Sequence, residues 1–365
     1  MTDWPLVSIV IPMRNEAGTV AALLDGVLAQ DYPPERFEVL VVDGASTDSS
    51  GAVIEGYARR DPRVRLLHNP RRIVPTGLNV AIRAARGDVI CRIDGHTRVA
   101  ADYVRRGAEA LRRTGADNVG GPMHAVGGGW FGDAVAAATS SRFGIGSYFH
   151  YGTEEREVDT VYLGMWPRRV FASIGLFDEE LVRNQDDEFN YRLRKAGGRV
   201  LITPTMRSWY QNRQSVIGLL RQYYEYGYWK VRVLQKHPRQ MSWRHFVPPL
   251  FVAGLSGLTL LGAFVPAAAL AARVLFGLYV AAVLGVAARV SLRRGVRAWL
   301  ATALAFAGIH CAWGMGFLNG LISFAGRWRV PETAPPRLEH GQGDSEARVT
   351  GVTSASVGSH AGGTA

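Results

Sequence analysis

The sequence predicts an α/β fold, a doubly wound sheet, followed by C-terminal transmembrane helices. Between residue 7 and about residue 115, short apolar runs typical of strands alternate with patterns of helical spacing, and this alternation is typical of doubly wound sheets. Further along, residues 246–272, 274–288 and 298–326 contain no charged side chain. A bilayer core requires roughly 20 apolar helical residues, so this region is predicted to lie in a membrane.

Three strand candidates each end in polar residues. The runs 7–11 and 38–42 are largely apolar and rich in β-branched residues, as expected of strands that are buried on both faces, and 88–93 is the third strand candidate. Residues 19–30 and 76–85 between them have helical spacing. Open α/β sheets bind ligands at the carboxyl ends of their strands, so a ligand cleft is predicted there. No Gly-x-Gly-x-x-Gly fingerprint follows these strands, which argues against a dinucleotide.

The polar residues at the strand ends belong to motifs that follow one another along the chain. These are IVIPMRNE at 9–16, VVDGASTD at 41–48, Gly77-Leu78-Asn79, RIDGH at 92–96 and NQDDEFNYRL at 184–193. Together they resemble the inverting family 2 glycosyltransferases of GT-A fold, whose Rossmann-like domain binds a nucleoside diphosphate sugar. VYLGMWPRRVF and GLFDEEL, further on, are most similar to the ExoA-type glucosyltransferases of exopolysaccharide assembly. The resemblance covers roughly residues 5 to 330, and five weak motifs in the correct order make it specific.

The resemblance implies a nucleotide-sugar site at the ends of these strands, with a UDP-sugar as the expected donor. Asp43 is expected on the uracil or ribose side, and Asp94 beside the ribose and the diphosphate. The base pocket and the rest of the nucleotide-sugar site are expected to involve Pro12, Arg14, Glu16, Ser46, Gly77 and Asn79.

The resemblance also implies a divalent cation, Mn²⁺ or Mg²⁺, that neutralises the leaving diphosphate. The family usually has Asp-x-Asp at this place, whereas this chain has Asp94-Gly95-His96. In one interpretation His96 replaces the second carboxylate as a metal ligand, and imidazole suits Mn²⁺ better than Mg²⁺. In the other, His96 only packs, and the cation rests on Asp94 and water. The first interpretation is the prediction.

The catalytic base is expected in the acidic run 186–188. The family usually has Glu-Asp-x-Asp here, and alignment on Arg192-Leu193 places the catalytic carboxylate on Asp186, with Asp187 as the alternative. Acids are also favoured at a helix N-terminus, so part of this run is expected to be structural. One base and one activated hydroxyl imply single displacement with inversion, by analogy with glycosidases.

The acceptor side is expected around Gly164, Trp166 and Asp187. Residues 162–166 resemble the strand and loop that form the acceptor site in the family. An indole such as that of Trp166 can stack on a sugar ring, but it can equally belong to the core. The sequence leaves both interpretations open.

The chain is expected to divide into a GT-A domain at 1–240, a membrane segment of two to three helices at 246–326, and a disordered tail at 331–365. No apolar signal segment precedes the first strand, so the GT-A domain is expected in the cytoplasm and the protein in the inner (plasma) membrane as a multi-pass protein. Three spans would place the tail outside, whereas a re-entrant third segment would keep it inside.

A basic region precedes the membrane segment. Residues 192–244 contain twelve Lys or Arg and one acid, Glu225. Cations and aromatic residues alternate at 215–236, which predicts an interfacial helix on an anionic lipid leaflet. Some of the arginines could instead contact the diphosphate. No module that reads nucleic acid is visible, so nucleic acid is not an expected partner.

The predicted function is that of a membrane-anchored glycosyltransferase that adds a sugar to a lipid-linked oligosaccharide or polysaccharide acceptor in exopolysaccharide or cell-envelope glycan synthesis. One alternative is a non-catalytic scaffold that binds sugar nucleotides in an assembly complex. Another is a processive polysaccharide synthase. Such synthases typically carry Gln-x-x-Arg-Trp before the membrane segment, where this chain has Arg221-Gln222-Tyr223, and this favours single addition.

Overall fold

The computed structural model describes residues 4–144, 148–328 and 334–338. Its strands are β1 (Val7–Met13), β2 (Phe37–Asp43), β3 (Val64–His68), β4 (Val89–Arg92), β5 (Thr97–Val99), β6 (Asn118–Gly121), β7 (Met123–Val126), β8 (Arg156–Glu157), β9 (Tyr162–Pro167), β10 (Val200–Ile202) and β11 (Ser208–Gln211). Its α-helices are α1 (Val20–Leu28), α2 (Ser50–Arg60), α3 (Val74–Ala84), α4 (Tyr103–Thr114), α5 (Gly129–Thr139), α6 (Arg169–Ile174), α7 (Gln185–Lys195), α8 (Val216–Lys236), α9 (Val247–Leu261), α10 (Pro266–Ser291) and α11 (Val296–Ser323).

The central sheet has eight strands in the order β3-β2-β1-β4-β9-β6-β10-β8. β1 pairs in parallel with β2 and β4, with Met13 opposite Asp43 and Val10 opposite Arg92. β9 runs antiparallel to both β4 and β6, so the sheet is mixed. This register brings the carboxyl ends of β1, β2 and β4 to one edge and confirms the predicted α/β fold. A smaller sheet has the order β5-β11-β7.

The central strands are mainly apolar because helices cover both faces of the sheet. Ile9 and Ile11 pack with residues of α1 and α4 on one face, while Val10 packs with residues of α3 on the other. Successive side chains of a strand face opposite sides, so a strand covered on both sides reads as a continuous apolar run. The helices predicted at 19–30 and 76–85 are confirmed as α1 and α3. α3 starts earlier than expected because Pro75 fits the first turn of a helix.

Three apolar helices follow the α/β domain. Trp243–Leu261, Pro266–Arg294 and Val296–Ser323 are long and apolar enough to cross a membrane. Large apolar side chains of α9, α10 and the turn between them are exposed, among them Leu250, Leu260, Phe264, Leu270 and Phe276. α11 packs against α8, α10, α5 and α9, and its buried side chains lie between residues 301 and 320.

The predicted helix at 215–236 is confirmed as α8, but its cations do not all face outward. Three of them are buried and paired with acids of the α/β domain, as Lys230–Asp187, Arg232–Glu180 and Lys236–Asp178. Removing a charge from water is costly unless a partner compensates it, which explains the pairing. The expectation that these three cations lie on an anionic leaflet is therefore wrong.

Part of the predicted tail is packed against the α/β domain. The amide of Leu176 donates to the carbonyl oxygen of Pro336 at 2.7 Å, and Leu338 packs against the core on the α3 side of the sheet. The remainder of the tail predicted to be disordered, residues 331–333 and 339–365, lies outside the described residues.

Candidate active site

A cavity of about 610 Å³ opens at the sheet edge where β1 and β4 end. Its lining begins at Arg14, passes Asp94 and Asp186, and reaches Ile309 and Trp313 of α11. The cavity therefore joins the predicted nucleotide site to the apolar C-terminal helices.

The turns after β1 and β2 are tied together beside this cavity. Asn15 and Ala45 both have left-handed backbones, with φ of 57° and 55°. The Asn15 amide donates to Ser46 Oγ at 2.9 Å, and Asn15 Oδ1 accepts from the Thr47 amide at 2.8 Å. The carboxylate of Asp43 accepts from the amide and the hydroxyl of Ser46, at 3.1 and 2.5 Å. Asp43 and Ser46 thus fix the loop that follows β2, with Asp43 itself buried.

Pro12, Arg14 and Glu16, which the sequence predicts for the base pocket, line the cavity. Glu16 Oε1 lies 3.3 Å from His96 Nδ1. Burial acts to raise the pKa of Glu16, but hydrogen bonds from His96 and Thr19 outweigh it and leave the pKa below its ordinary value. Glu16 is thus an ionised partner that orients the imidazole of His96.

Asp94 and His96 reach the cavity because the residue between them is glycine. A Cβ on Gly95 would lie 2.9 Å from Met13 Cβ and 3.2 Å from Glu16 Cγ. The loop after β4 therefore runs directly over the end of β1. This close approach places Asp94, His96 and Glu16 in one wall of the cavity.

The carboxylate of Asp94 is held by a buried guanidinium. Arg92 Nε donates to Asp94 Oδ1 at 2.7 Å, and Arg92 Nη2 donates to Oδ2 at 3.1 Å. Burial acts to lower the pKa of Arg92, but the carboxylates of Asp94 and Asp186 outweigh it and raise the pKa. Arg92 Nη1 is buried and has no hydrogen-bond partner in the part of the chain that the structure describes. Since Arg92 also lines the cavity, it places a fixed positive charge between the two acids.

Asp186 and Asp187 occupy the first turn of α7 and both line the cavity. Asn184, left-handed at φ 62°, precedes the helix, and its Nδ2 donates to the carbonyl oxygen of Tyr226 in α8 at 3.0 Å. This bond fixes where α7 begins, and with it the position of both acids.

The two acids differ in environment. Burial raises the pKa of Asp186 above its ordinary value, and Arg92 only partly opposes this. Burial acts on Asp187 in the same direction, but its ion pair with Lys230 lowers its pKa below the ordinary value. A carboxylate that is already paired with an ammonium group is a weak base. Asp186 is therefore the better base of the two.

The third acid of the run, Glu188, is structural. It is buried and accepts from Arg192 Nε at 2.6 Å, and it lies 3.0 Å from His237 Nε2. These contacts join α7 to the end of α8. The expectation that part of the run is structural thus applies to Glu188.

Six predicted site residues lie outside the cavity lining: Asp43 and Ser46, described above, and four others. Asn79 is fully buried. Its side-chain Nδ2 donates to the carbonyl oxygen of Phe177, and its Oδ1 accepts from the Phe177 amide, each at 2.9 Å. Trp166 is 2% exposed and packs among Phe171, Phe177 and Phe189. Of the two interpretations of Trp166, the core interpretation describes this structure.

The two glycines among these four act through close packing. A Cβ on Gly77 would lie 3.2 Å from Asn69 Nδ2 and 3.5 Å from Pro12 Cβ, so Gly77 lets α3 approach the wall behind Pro12. Gly164 has φ 115°, and a Cβ there would lie 2.4 Å from the Trp166 ring. Both glycines support the site from behind its wall.

Sequence reasoning missed Arg92 and Lys230 as site residues. Arg92 was visible as a single charge in an apolar strand, two residues before Asp94, and residues so spaced share one face of a strand. Lys230 was hidden among the other cations of residues 192–244. Its pairing with Asp187 spans 43 residues and depends on how α8 packs on the domain.

A mixed α/β sheet, with a cavity at its parallel edge that is lined in part by Glu16, Asp94 and Asp186, defines a GT-A domain with a Rossmann-like fold. The sequence model described as "Glycosyl transferase family 2" matches residues 8–173. The succinoglycan biosynthesis protein ExoA of Rhizobium meliloti (strain 1021) is 33% identical over 322 residues, which is 87% of this chain and 96% of that protein. The chain therefore belongs to glycosyltransferase family 2 and is a glycosyltransferase.

Two further comparisons agree with this assignment. The dolichyl N-acetyl-alpha-D-glucosaminyl phosphate 3-beta-D-2,3-diacetamido-2,3-dideoxy-beta-D-glucuronosyltransferase of Methanococcus voltae is 26% identical over 324 residues, 87% of this chain and 97% of that protein. The structure of the mannosyltransferase PcManGT from Pyrobaculum calidifontis, in complex with GDP-Man and Mn²⁺, aligns with a TM-score of 0.52 and 20% identity. That alignment covers 84% of this chain and 87% of the mannosyltransferase, and it shows a shared fold.

Proposed function

We propose that this glycosyltransferase transfers a sugar from a nucleoside diphosphate sugar, with UDP as the nucleotide, to a lipid-linked oligosaccharide or polysaccharide acceptor. The proposed transfer inverts the configuration at the anomeric carbon of the sugar. The supporting observation is the continuous cavity, which has Arg14 and Asp94 at one end, Asp186 between, and Ile309 and Trp313 of an apolar helix at the other. A donor at the sheet edge and an acceptor that enters along the apolar helices would meet beside Asp186.

The relatives support this acceptor class. The Rhizobium protein is named for succinoglycan biosynthesis, and the Methanococcus enzyme is named for transfer to a dolichyl-linked sugar phosphate. Both match 87% of this chain. The enzyme is accordingly proposed to act in exopolysaccharide or cell-envelope glycan synthesis, at the inner membrane, with the GT-A domain in the cytoplasm.

In the proposed reaction, Asp186 accepts the proton of the acceptor hydroxyl as that oxygen attacks the anomeric carbon, and the bond from this carbon to the nucleoside diphosphate breaks, with the electron pair leaving on the phosphate oxygen. Its raised pKa makes it a stronger base than an ordinary carboxylate. Lys230 keeps Asp187 paired, so that one carboxylate of the two takes the proton. Arg92 holds Asp94 in place, and its positive charge lies close enough to Asp186 to act on the pKa of that carboxyl.

The donor set at the sheet edge fits a cation that arrives with the diphosphate. No cluster of three or more His, Cys, Asp or Glu that could hold a metal ion is found among the described residues. Mg²⁺ and similar hard ions often bind one or two carboxylates and take substrate phosphate and water as further ligands. Asp94 and His96 would hold such an ion, with Glu16 orienting the imidazole, as carboxylates commonly do for metal-binding histidines. When bound, Mn²⁺ or Mg²⁺ would neutralise the departing diphosphate.

The test is a transfer assay with the purified full-length protein in lipid nanodiscs. Radiolabelled UDP-sugars are supplied one at a time with a lipid extract, and the product is partitioned into organic solvent and analysed by mass spectrometry. The proposal expects an organic-soluble product that carries one added sugar in the inverted configuration. A scaffold would bind the nucleotide sugar without forming product, and a processive synthase would form long water-soluble polymer.

A further inference from the structure

The third apolar helix, α11, contacts the GT-A domain at both of its ends. Near its start, the guanidinium of Arg297 lies 5.1 Å from the centre of the Trp130 ring in α5. Just beyond its end, Arg327 Nη1 donates to Glu180 Oε1 at 2.8 Å. α11 has 28 residues, which corresponds to roughly 42 Å at 1.5 Å per residue. A bilayer core is only about 30 Å thick, so a spanning helix could not keep both ends on a domain that stays on one side.

The middle of α11 is packed against α8 at backbone distance. A Cβ on Gly316 would lie 2.0 Å from the Tyr224 carbonyl oxygen, and one on Gly227 would lie 2.2 Å from the Trp313 carbonyl oxygen. Further along, Gln235 Nε2 donates to the carbonyl oxygen of Phe324 at 2.8 Å. The two helices therefore run side by side in the same direction over most of α8.

α8 itself is fixed to the GT-A domain along its length. Arg183 pairs with Glu225 at 2.9 Å, and the buried Lys230 pairs with Asp187. Because α11 follows α8, it follows the surface of the domain as well. This explains why 61% of an apolar 18-residue stretch of α11 is buried, whereas the buried share of the corresponding stretch is 6% in the α9 segment and 11% in α10.

The chain beyond α11 returns to the same domain. The Leu176 amide donates to the Pro336 carbonyl oxygen at 2.7 Å. Residue 336 therefore lies on the side of the membrane on which the GT-A domain lies.

α9 and α10 have the opposite character. Phe264, in the turn between them, is 86% exposed, and Leu260 is 73% exposed. Residues 258–272 contain no charged side chain. Of the four arginines in α10 and the turn after it, only Arg273 lies in the half nearer the tip, while Arg289, Arg293 and Arg294 stand where α10 ends. An apolar tip with cations at the base matches a hairpin that enters lipid tip first.

We propose that α9 and α10 form a hairpin whose partner is the hydrocarbon of the bilayer, and that α11 does not cross the membrane but lies along the GT-A domain. The exposed stripe of α11, which includes Leu300, Leu304, Met315 and Ile322, then faces the lipid surface. Residues after 338 begin on the same side as the GT-A domain. This arrangement rests on the membrane attachment in the proposed function but not on the proposed reaction.

Single cysteines test the arrangement. The background is the full-length protein with Cys311→Ala, since Cys91 is fully buried. Ser345→Cys reports on the tail, and Glu55→Cys, on the exposed surface of α2, is the matched control on the GT-A domain. A membrane-impermeant maleimide is applied to intact cells and to inverted membrane vesicles. The maleimide is expected to label both cysteines in the same preparation, whether that is the intact cells or the inverted vesicles. Labelling of Ser345→Cys and Glu55→Cys in opposite preparations, as three spans require, would overturn the proposal.

A second measurement addresses the contact itself. In the pair Glu180→Cys and Arg327→Cys, a short bis-maleimide is expected to form an intramolecular cross-link in membranes, and the pair Glu55→Cys and Arg327→Cys is expected to form none. Absence of the first cross-link, with both cysteines reactive, would also overturn the proposal. Release of the protein by alkaline carbonate would overturn it together with the membrane attachment. Transfer activity is scored in the same membranes, so loss of activity with the topology retained counts against the proposed reaction alone.

Discussion

Replacing Asp186 by Asn removes its ability to accept a proton while leaving the side chain nearly the same size. The Asp186 carboxylate accepts a hydrogen bond from the backbone N–H of Asp187 at 2.9 Å. The side-chain oxygen of Asn can accept the same hydrogen bond. The start of α7 should therefore be retained, with the loss confined to catalysis.

The expected loss follows from the role of a general base. Such a group typically contributes about 10²- to 10⁴-fold, which corresponds to about 3 to 5 kcal/mol of transition-state stabilisation. Because burial raises the pKa of Asp186, we expect kcat to fall toward the upper part of this range. Donor affinity should stay near that of the wild type, since the base acts on the acceptor. The assay combines steady-state transfer with calorimetric titration of the nucleotide.

Asp187→Asn is the matched control. It leaves the buried ammonium of Lys230, which is 2% exposed, without its partner, and breaking a buried pair typically costs about 3–5 kcal/mol of folding stability. This variant should therefore lower Tm clearly, while the kcat of the protein that remains folded stays close to that of the wild type. If Asp187→Asn abolishes transfer at unchanged Tm while Asp186→Asn works at the wild-type rate, the assignment of the base is wrong by one residue.

Three further outcomes are expected. Trp166→Ala should lower the free energy of unfolding by about 3–5 kcal/mol, measured by denaturant titration, because it empties a buried aromatic cluster, and a higher acceptor KM at unchanged stability would contradict this. Calorimetry should show that Mn²⁺ tightens UDP binding to the wild type but not to Asp94→Ala. His96→Asp should shift the metal preference from Mn²⁺ toward Mg²⁺, because carboxylate suits the harder ion. Equal UDP affinity of the wild type in Mn²⁺ and in EDTA would argue against a cation at Asp94. Arg92 acts to lower the pKa of Asp186, so Arg92→Met should raise that pKa further, and on acidification this variant should lose transfer activity at a higher pH than the wild type. Arg92→Lys keeps the charge and should keep a pH–rate profile near that of the wild type. Superimposable pH–rate profiles for all three proteins would exclude the effect of Arg92 on Asp186.

The sequence by itself determined the sheet edge and the residues that stand on it. Continuous apolar strand runs that stop at Arg14, Asp43 and Asp94 are local patterns, because burial on both faces of a sheet dictates them residue by residue. The acidic run at Asp186 and the long apolar helices are local in the same sense. The family and the presence of helices able to enter a membrane could be predicted for this reason.

Only the tertiary structure decided which of these residues contact one another. The sequence could not assign Lys230 to Asp187, place Trp166 among three phenylalanines, or pack α11 against α8. Each of these outcomes depends on contacts between segments far apart in the chain, and one apolar or basic pattern satisfies several environments equally well. An apolar helix is stable in hydrocarbon and in a protein core alike, so the side chains packed against it decide which of the two it occupies.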